Sequence, residues 1–288
     1  MTKAERAGGS PEASCVLDAH VHLFPDKLFR AIWRWFDEAG WVIPYAGWEL
    51  SAFLEELGAM GVVRSFVLPY AHKPDISLEL NRWIKRLCRE HPWLIPFAAV
   101  HPGDESLEEV LETALDAWGF SGVKLHLAVQ GYRADHPALR PVFEAVHRRE
   151  KAVVIHAGTA PYVPGRREFP HLGLDGLAGV LEALPRLKTV IPHFGLDELE
   201  KALWLVDRFE NVYLDTSWVL GNPQLSIPLS LLEEVMAARP ERIIYGSDFP
   251  ILEHEPESGI RIIQGLDLEE ETKRSILHRN AERLIGMG

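Results

Sequence analysis

Ionisable side chains stand at the C-terminal ends of short apolar runs along this chain. The clearest cases are Asp18-Ala19-His20-Val21-His22, Lys124-Leu125-His126, Ile155-His156, Pro192-His193, Leu214-Asp215 and Ser247-Asp248. Imidazole and carboxylate groups bind divalent metals and transfer protons near neutral pH. If the ends of these runs meet in the fold, residues far apart in sequence share one chemical site.

Two histidines separated by a single residue are the strongest sign of a metal centre. His20 and His22 lie two apart on a predicted strand, so both side chains point to the same side of it. His156 and Asp248 end two later runs and can reach the first run at a shared rim. Three imidazoles and one carboxylate suit one divalent ion with a position left for water. We predict zinc, and manganese or cobalt accept the same ligands.

The elements that must position these residues alternate along the chain. Eight runs rich in valine, isoleucine, leucine and phenylalanine are typical of buried strands; they span residues 15–22, 62–70, 94–101, 122–127, 152–157, 188–193, 212–217 and 242–248. Segments with helical spacing separate them, such as residues 78–89 and 106–118. This alternation predicts a parallel α/β sheet.

A closed barrel and an open doubly wound sheet are the two candidate architectures. The first run ends in histidines and has no G-x-G-x-x-G fingerprint after it, which disfavours an open dinucleotide-binding sheet. We therefore predict a single-domain (β/α)8 TIM barrel over residues 15–288, with a flexible N-terminal segment at residues 1–14. In such a barrel the C-terminal strand ends converge on the mouth where chemistry occurs.

The connection between the first two runs is long enough for a helical insertion. It covers residues 25–61 and is rich in tryptophan, including Trp41 and Trp48. We interpret most of its aromatic side chains as core packing and a subunit interface. Trp41 and Trp48 lie outside a clear helical stripe and are the exceptions that could stack on a substrate.

Charge and composition exclude several classes of partner. The 288-residue chain has a formal net charge of -12 and no basic stripe, which argues against nucleic-acid and anionic-membrane binding. Neither a signal peptide nor a continuous apolar span is present in the sequence. Its two cysteines, Cys15 and Cys88, are interpreted as small buried hydrophobic residues rather than a disulfide. We expect a cytoplasmic protein that acts on a small molecule.

Five blocks of the sequence resemble the signature blocks of the amidohydrolase superfamily. They are Asp18-Ala19-His20-Val21-His22, Gly122-Val123-Lys124-Leu125-His126, His156-Ala157-Gly158, Pro192-His193-Phe194-Gly195 and Tyr245-Gly246-Ser247-Asp248-Phe249-Pro250. The resemblance is closest to the branch typified by aminocarboxymuconate semialdehyde decarboxylase and runs over nearly the whole chain. It implies a distorted barrel with a divalent metal at its mouth, and a homodimer.

The resemblance also implies roles for individual residues. His20, His22, His156 and Asp248 correspond to metal ligands, and His193 would stand beside the metal-bound water. A divalent ion lowers the pKa of bound water from near 16 to about 7. Asp248 can then carry the proton, while His193 holds the hydroxide or polarises a carbonyl.

The fourth run leaves three interpretations open for Lys124 and its neighbour His126. In binuclear relatives a lysine at this place is carboxylated and bridges two metals. Alternatively, the Lys124 ammonium binds a substrate carboxylate, or it forms an inert ion pair within the barrel. We favour one metal and a substrate-binding role for Lys124 and His126. Arg166, in a long loop after the fifth run, and Trp218, after the seventh, are further substrate-binding candidates.

Three functions remain compatible with these residues. The preferred one is a metal-dependent hydrolase of an amide, ester or lactone, because hydrolytic members of the superfamily outnumber the others. The alternative is a non-oxidative decarboxylase of a small unsaturated or aromatic acid. A non-catalytic metal-binding barrel is a remote third.

Overall fold

Eight parallel strands form the centre of the protein, in agreement with the predicted TIM barrel. The structure is a computed structural model that describes residues 15–156, 173–223 and 227–287. Neighbouring strands pair in chain order from β1 to β8. Their bounds are β1 Val16–Val21, β2 Val62–Val67, β3 Leu94–Ala99, β4 Gly122–His126, β5 Ala152–His156, β6 Lys188–Ile191, β7 Val212–Asp215 and β8 Ile243–Ile244.

The barrel closes where the segment after β8 returns to β1. Val21 forms a parallel bridge with Phe249. The His22 backbone N–H donates to the Phe249 carbonyl at 2.8 Å, and the Asp248 N–H donates to the His20 carbonyl at 2.9 Å. These bonds exclude the open doubly wound sheet and hold two predicted ligand segments side by side.

Strand β1 contains an irregularity at the predicted metal site. Asp18 pairs with Ser65 and Val21 pairs with Val67. The chain therefore advances three residues along β1 while it advances two along β2. Such a bulge inserts one extra residue and re-aims the side chains around it. His20 lies inside this bulge, which is a local feature that the alternation in the sequence does not predict.

Helices surround the strands. The α-helices are α1 Asp26–Glu38, α2 Leu50–Ala59, α3 Ser77–Glu90, α4 Leu107–Glu112, α5 Leu127–Gln130, α6 Arg140–Arg148, α7 Leu177–Ala183, α8 Leu199–Arg208, α9 Leu229–Ala238, α10 Ser258–Gly265, α11 Glu270–Arg274 and α12 Asn280–Ile285. The described residues also form two π-helical turns, Thr113–Ala117 and Ser275–Arg279, and two 3-10 segments, Pro137–Leu139 and His193–Glu198.

Helix α3 shows how the sequence specifies these elements. Leu80, Ile84 and Leu87 are buried on one side at spacings of four and three residues. Glu79 in the first turn and Arg89 in the last turn complement the helix dipole. Within the described ranges, no helix has the length and apolarity needed to cross a membrane.

Helices α1 and α2 are the predicted insertion between β1 and β2, and the segment between them packs on the mouth. The Tyr45 ring lies 5.0 Å from the Phe249 ring, and its hydroxyl donates to the His254 carbonyl at 2.9 Å. His254 is partly buried. Trp48 packs on Tyr45 and Phe53 while 38% of its surface stays exposed.

Candidate metal centre

Three of the four predicted metal ligands come together at the mouth. One ligand atom from each of His20, His22 and Asp248 lies within 4.8 Å of the others, and all three residues are buried. The Nε2 atoms of His20 and His22 lie 3.4 Å and 3.2 Å from Oδ1 of Asp248. Residues from opposite ends of the chain thus present nitrogen and oxygen donors to one point.

Hydrogen bonds on the far side of the two rings fix which nitrogen faces this point. His20 Nδ1–H donates to Asp215 Oδ2 at 2.7 Å, and His22 Nδ1–H donates to the Leu68 carbonyl at 2.7 Å. Because these partners only accept hydrogen bonds, Nε2 of each neutral ring carries a lone pair. Burial is the largest cause that holds the pKa of His20 well below its usual value, so this ring is neutral.

The donor set fits a divalent cation. Two nitrogen lone pairs face a carboxylate oxygen, and Asp248 Oδ1 has no hydrogen-bond partner within the described part of the chain. Lone pairs and an anionic oxygen repel one another unless a positive charge lies between them. His20, His22 and Asp248 are therefore suited to hold a metal.

His156, the fourth predicted ligand, lies beside this group and outside it. Its Nδ1 is 3.1 Å from His193 Nε2. His193 Nδ1–H donates to the Ser217 carbonyl at 3.0 Å, so the neutral His193 ring accepts at Nε2 from His156 Nδ1–H. This leaves a lone pair on His156 Nε2, a buried atom with no partner among the described residues. The orientation agrees with a ligand role, which stays a prediction.

His193, the predicted partner of the metal-bound water, is anchored from strand β7. Its backbone N–H donates to Asp215 Oδ1 at 2.9 Å, and its Nδ1 is 2.8 Å from the Ser217 hydroxyl. Ser217 Oγ also donates to the Asp215 carboxylate in a short contact. Ser217 therefore connects the His193 imidazole to the Asp215 carboxylate, which orients His20.

Strained backbone is concentrated where the site residues leave the strands. His193, Trp218 and Asp248 have φ angles of 57°, 59° and 77°, although none of them is glycine. Left-handed conformations of this kind cost roughly 1–3 kcal/mol each and cluster at functional sites. Their position after β6, β7 and β8 supports a functional role for this end of the barrel.

Lys124 and His126 both reach the site, as predicted for side chains two apart on β4. Lys124 is fully buried, and its Nζ lies 3.0 Å from His20 Nε2. Burial lowers the pKa of Lys124 to about 8, although the charges of Asp215 and Asp248 raise it. The His126 ring stacks on His156 with ring centroids 4.0 Å apart.

Of the two remaining substrate-binding candidates, Trp218 lies within the described residues and Arg166 does not. The Trp218 ring stacks on Trp41 at 6.1 Å with an interplanar angle of 15°, and its buried Nε1 has no partner among the described residues. Trp41 thus pairs with another candidate at the mouth. Arg166 lies outside the described residues, as do residues 1–14.

Sequence inspection missed three contributors to the site. Ser217 sits two residues after Asp215, and this D-x-S spacing could have identified it. Gly246 allows the segment after β8 to approach β1, because a Cβ atom there would lie 2.7 Å from Cβ of His20. Tyr70 packs against His22 and His126. No spacing rule singles it out.

Comparison with known proteins identifies relatives over almost the whole chain. A family model described as amidohydrolase matches residues 17–287. A 6-methylsalicylic acid decarboxylase from Penicillium expansum is 26% identical over 90% of this chain and 93% of its own length.

Solved structures share the fold at lower identity. A 2,6-dihydroxybenzoate decarboxylase from Rhizobium is 18% identical with a TM-score of 0.70, covering 94% of this chain and 98% of its own. A dihydroxybenzoic acid decarboxylase from Polaromonas sp. JS666, solved with manganese and 2-nitroresorcinol, is 17% identical with a TM-score of 0.73, covering 94% and 97%. At these identities the structures show the barrel alone.

Proposed function

Because the chain belongs to the amidohydrolase family, we propose that it is a metal-dependent, non-oxidative decarboxylase of a small hydroxylated aromatic acid. The observation that carries this proposal is the convergence of His20 Nε2, His22 Nε2 and Asp248 Oδ1 on a point that suits a cation. The curated relative that covers 90% of this chain is named a decarboxylase of such an acid. The comparisons thus favour the decarboxylase alternative over the hydrolase preferred from the sequence.

The proposed metal ligands are His20, His22, His156 and Asp248. A divalent ion held there would supply Lewis acidity and would offset the negative charge of the acid. One ion per chain is the simplest occupancy, and its identity stays a proposal, with zinc predicted from the ligand types and manganese present in one relative. A homodimer stays a prediction.

The reaction breaks the bond between the ring carbon and the carboxylate carbon. Carbon dioxide leaves, the bonding electron pair stays on the ring carbon, and a proton is added there, so neither an oxidant nor a reductant is consumed. We assign the proton carrier to Asp248, whose carboxylate lies at the site. We assign to His193, which is held by Asp215 and Ser217, the orientation of the acid's oxygen atoms or the relay of the proton.

The burial of the site suits this chemistry. His20, Lys124 and Asp215 have no measurable exposure, and His156 and Asp248 are 8% and 7% exposed. In such surroundings fixed charges act more strongly than in water. The Lys124 ammonium adds a positive charge that would attract an acid anion, in line with its predicted substrate-binding role.

A substrate panel tests the proposal. Protein loaded with Mn²⁺ or Zn²⁺ is incubated with 6-methylsalicylic acid, 2,6-dihydroxybenzoate and, for the hydrolase alternative, an aromatic lactone. We expect carbon dioxide and the corresponding phenol from at least one acid, and an unchanged lactone. Asp248→Asn should lower this turnover at least about hundredfold, whereas Asp207→Asn, which alters a surface ion pair with Arg239, should not change it. Lactone opening without carbon dioxide release would restore the hydrolase interpretation.

A further inference from the structure

Ser217 follows strand β7 by two residues and is fully buried at the barrel mouth. Its hydroxyl oxygen lies 2.8 Å from His193 Nδ1 and 3.1 Å from His20 Nδ1. It also makes a short contact with Asp215 Oδ1. One hydroxyl group therefore contacts a proposed metal ligand, the histidine proposed to act on the acid, and a buried carboxylate.

The neighbours of this hydroxyl fix the place of its single hydrogen. The Asp215 carboxylate only accepts hydrogen bonds, so the Ser217 hydroxyl donates to it and keeps its lone pairs as acceptors. His193 Nδ1 carries a hydrogen, because it also contacts the Ser217 carbonyl at 3.0 Å, which can only accept. The His193 N–H is therefore shared between two oxygens of Ser217, and the hydroxyl oxygen is the nearer one.

These hydrogen bonds close a ring around the His193 side chain. The His193 backbone N–H donates to Asp215 Oδ1 at 2.9 Å, and the Ser217 hydroxyl donates to the same oxygen. The His193 imidazole is thus joined, through Ser217, to the carboxylate that also holds the His193 backbone. Because backbone and imidazole are both attached to this oxygen, rotation of the imidazole breaks a hydrogen bond.

The backbone of His193 does not itself supply this restraint. Strand β6 has ended before His193, whose φ of 57° lies in the left-handed region. The orientation of the ring therefore depends on its own contacts. Hydrogen bonds in a chain polarise one another, so a hydroxyl that donates to a carboxylate becomes a better acceptor. The Ser217 hydroxyl is such an acceptor for the His193 N–H.

His20 depends much less on the same hydroxyl. Its Nδ1–H donates to Asp215 Oδ2 at 2.7 Å, which is shorter than its 3.1 Å contact with Ser217 Oγ. Without the hydroxyl, Asp215 still orients His20, whereas the His193 imidazole keeps only the Ser217 carbonyl. Removal of the hydroxyl should therefore disturb His193 and spare the metal ligand.

We infer that Ser217 is a positioning residue whose hydroxyl sets the orientation of the His193 imidazole and thereby the rate of decarboxylation. This inference rests on the proposed function, in which His193 acts on the bound acid. It also separates the roles of two neighbours on one segment. Asp215 sustains metal binding, and the Ser217 hydroxyl sustains turnover.

Steady-state kinetics of zinc-loaded Ser217→Ala test this role. The substrate is 6-methylsalicylic acid or 2,6-dihydroxybenzoate, whichever the wild type converts faster. We expect kcat to fall about tenfold or more, while KM and zinc content stay within about twofold of the wild type. Ser65→Ala is the matched control, because it removes another fully buried serine hydroxyl, which donates to the Phe66 carbonyl on β2. Its kcat should match the wild type.

NMR of zinc-loaded protein labelled with nitrogen-15 histidine reports on the His193 hydrogen bond without turnover. In the wild type the ring proton should lie on Nδ1, and its resonance should shift in Ser217→Ala but not in Ser65→Ala. A proton on Nε2 in the wild type, or a resonance that Ser217→Ala leaves in place, would overturn the inference. Loss of zinc from Ser217→Ala would also overturn it, because the hydroxyl would then support the metal centre.

The kinetic outcomes separate this inference from the proposed function. If kcat of Ser217→Ala matches that of the wild type, the inference is wrong and the proposed function stands. If the zinc-loaded wild type converts neither acid, the proposed function fails first and the inference with it.

Discussion

Asp215 and His20, which are 195 residues apart in sequence, are joined by a 2.7 Å hydrogen bond in the centre of the barrel mouth. The same carboxylate accepts the backbone N–H of His193 at 2.9 Å and that of Ser217 at 3.0 Å. One fully buried aspartate therefore fixes a proposed metal ligand and the histidine proposed to act beside the metal. Carboxylates that orient ligand imidazoles in this way commonly control metal affinity.

Replacing Asp215 with asparagine should weaken metal binding. The amide has one oxygen, so it cannot accept from His20 and from the His193 and Ser217 N–H groups together. We expect metal affinity to fall by about 10- to 100-fold, measured by competition with a chelator of known affinity. Asp207→Asn on the surface serves as the control. Wild-type affinity in Asp215→Asn would show that the His20 ring needs no orienting carboxylate.

Substitution of Gly246 by alanine should displace His20. The added Cβ would lie 2.7 Å from Cβ of His20 and 3.3 Å from Cβ of Ser217. Overpacking of this kind costs about 1–3 kcal/mol, so urea denaturation should show that loss, and metal content after dialysis should fall. Gly58→Ala, in helix α2 with open space around it, should not destabilise the protein. Full metal retention in Gly246→Ala would contradict the claim that His20 leaves no space for a side chain at position 246.

Asp18 should make a pH-dependent contribution to the unfolding free energy of the metal-free protein. Burial raises the pKa of Asp18 from 3.8 to about 7, although hydrogen bonds from Ser247 and His20 lower it. At a pH between these two pKa values, Asp18 is deprotonated in the unfolded chain and keeps its proton in the folded chain. The contribution of Asp18 to the unfolding free energy therefore falls as pH rises from about 4 to about 7, by at most about 4 kcal/mol.

Asp18→Asn removes this titration and keeps an oxygen that can accept the two N–H groups now bound by Asp18 Oδ1. The difference in unfolding free energy between Asp18→Asn and the wild type should therefore grow with pH over this window. Urea denaturation with EDTA at several pH values measures it. The control is Asp207→Asn, because Arg239 holds the pKa of Asp207 below its usual value and outside the window. Parallel curves for Asp18→Asn and the wild type would refute the assignment.

Lys124 should remain an unmodified lysine next to a single metal. Its Nζ already has a hydrogen-bond partner, His20 Nε2 at 3.0 Å, and the described residues bring together one group of possible metal ligands. Native mass spectrometry of metal-saturated protein should show one ion per chain without the mass of an added carboxyl group. Two ions together with that added mass would support the binuclear arrangement instead.

The sequence was sufficient to predict the barrel because alternating strands and helices leave few other folds. It also predicted that His20, His22 and Asp248 meet, since strand ends converge in a barrel. It did not reveal the bulge that re-aims His20 or the close contact at Gly246. Both depend on how two distant segments pack.

Roles that depend on side-chain direction were harder to predict. Asp18 could have oriented a ligand ring, but its carboxylate accepts backbone N–H groups of His20 and Ser247. Tyr70 carried no motif, because its position follows from aromatic packing across the mouth. The choice between hydrolysis and decarboxylation depends on substrate contacts, which spacing along a chain does not encode.

Proton NMR of the reaction in D₂O tests the central claim most directly. Metal-loaded protein is given 6-methylsalicylic acid, and the same preparation stripped with EDTA is compared before and after metal is restored. We predict that the metal-loaded protein releases carbon dioxide and yields a phenol carrying one deuterium at the vacated ring carbon. The stripped protein should be inactive until metal returns. Release of labelled phenol at an undiminished rate from the stripped protein would contradict metal-dependent decarboxylation at His20, His22 and Asp248.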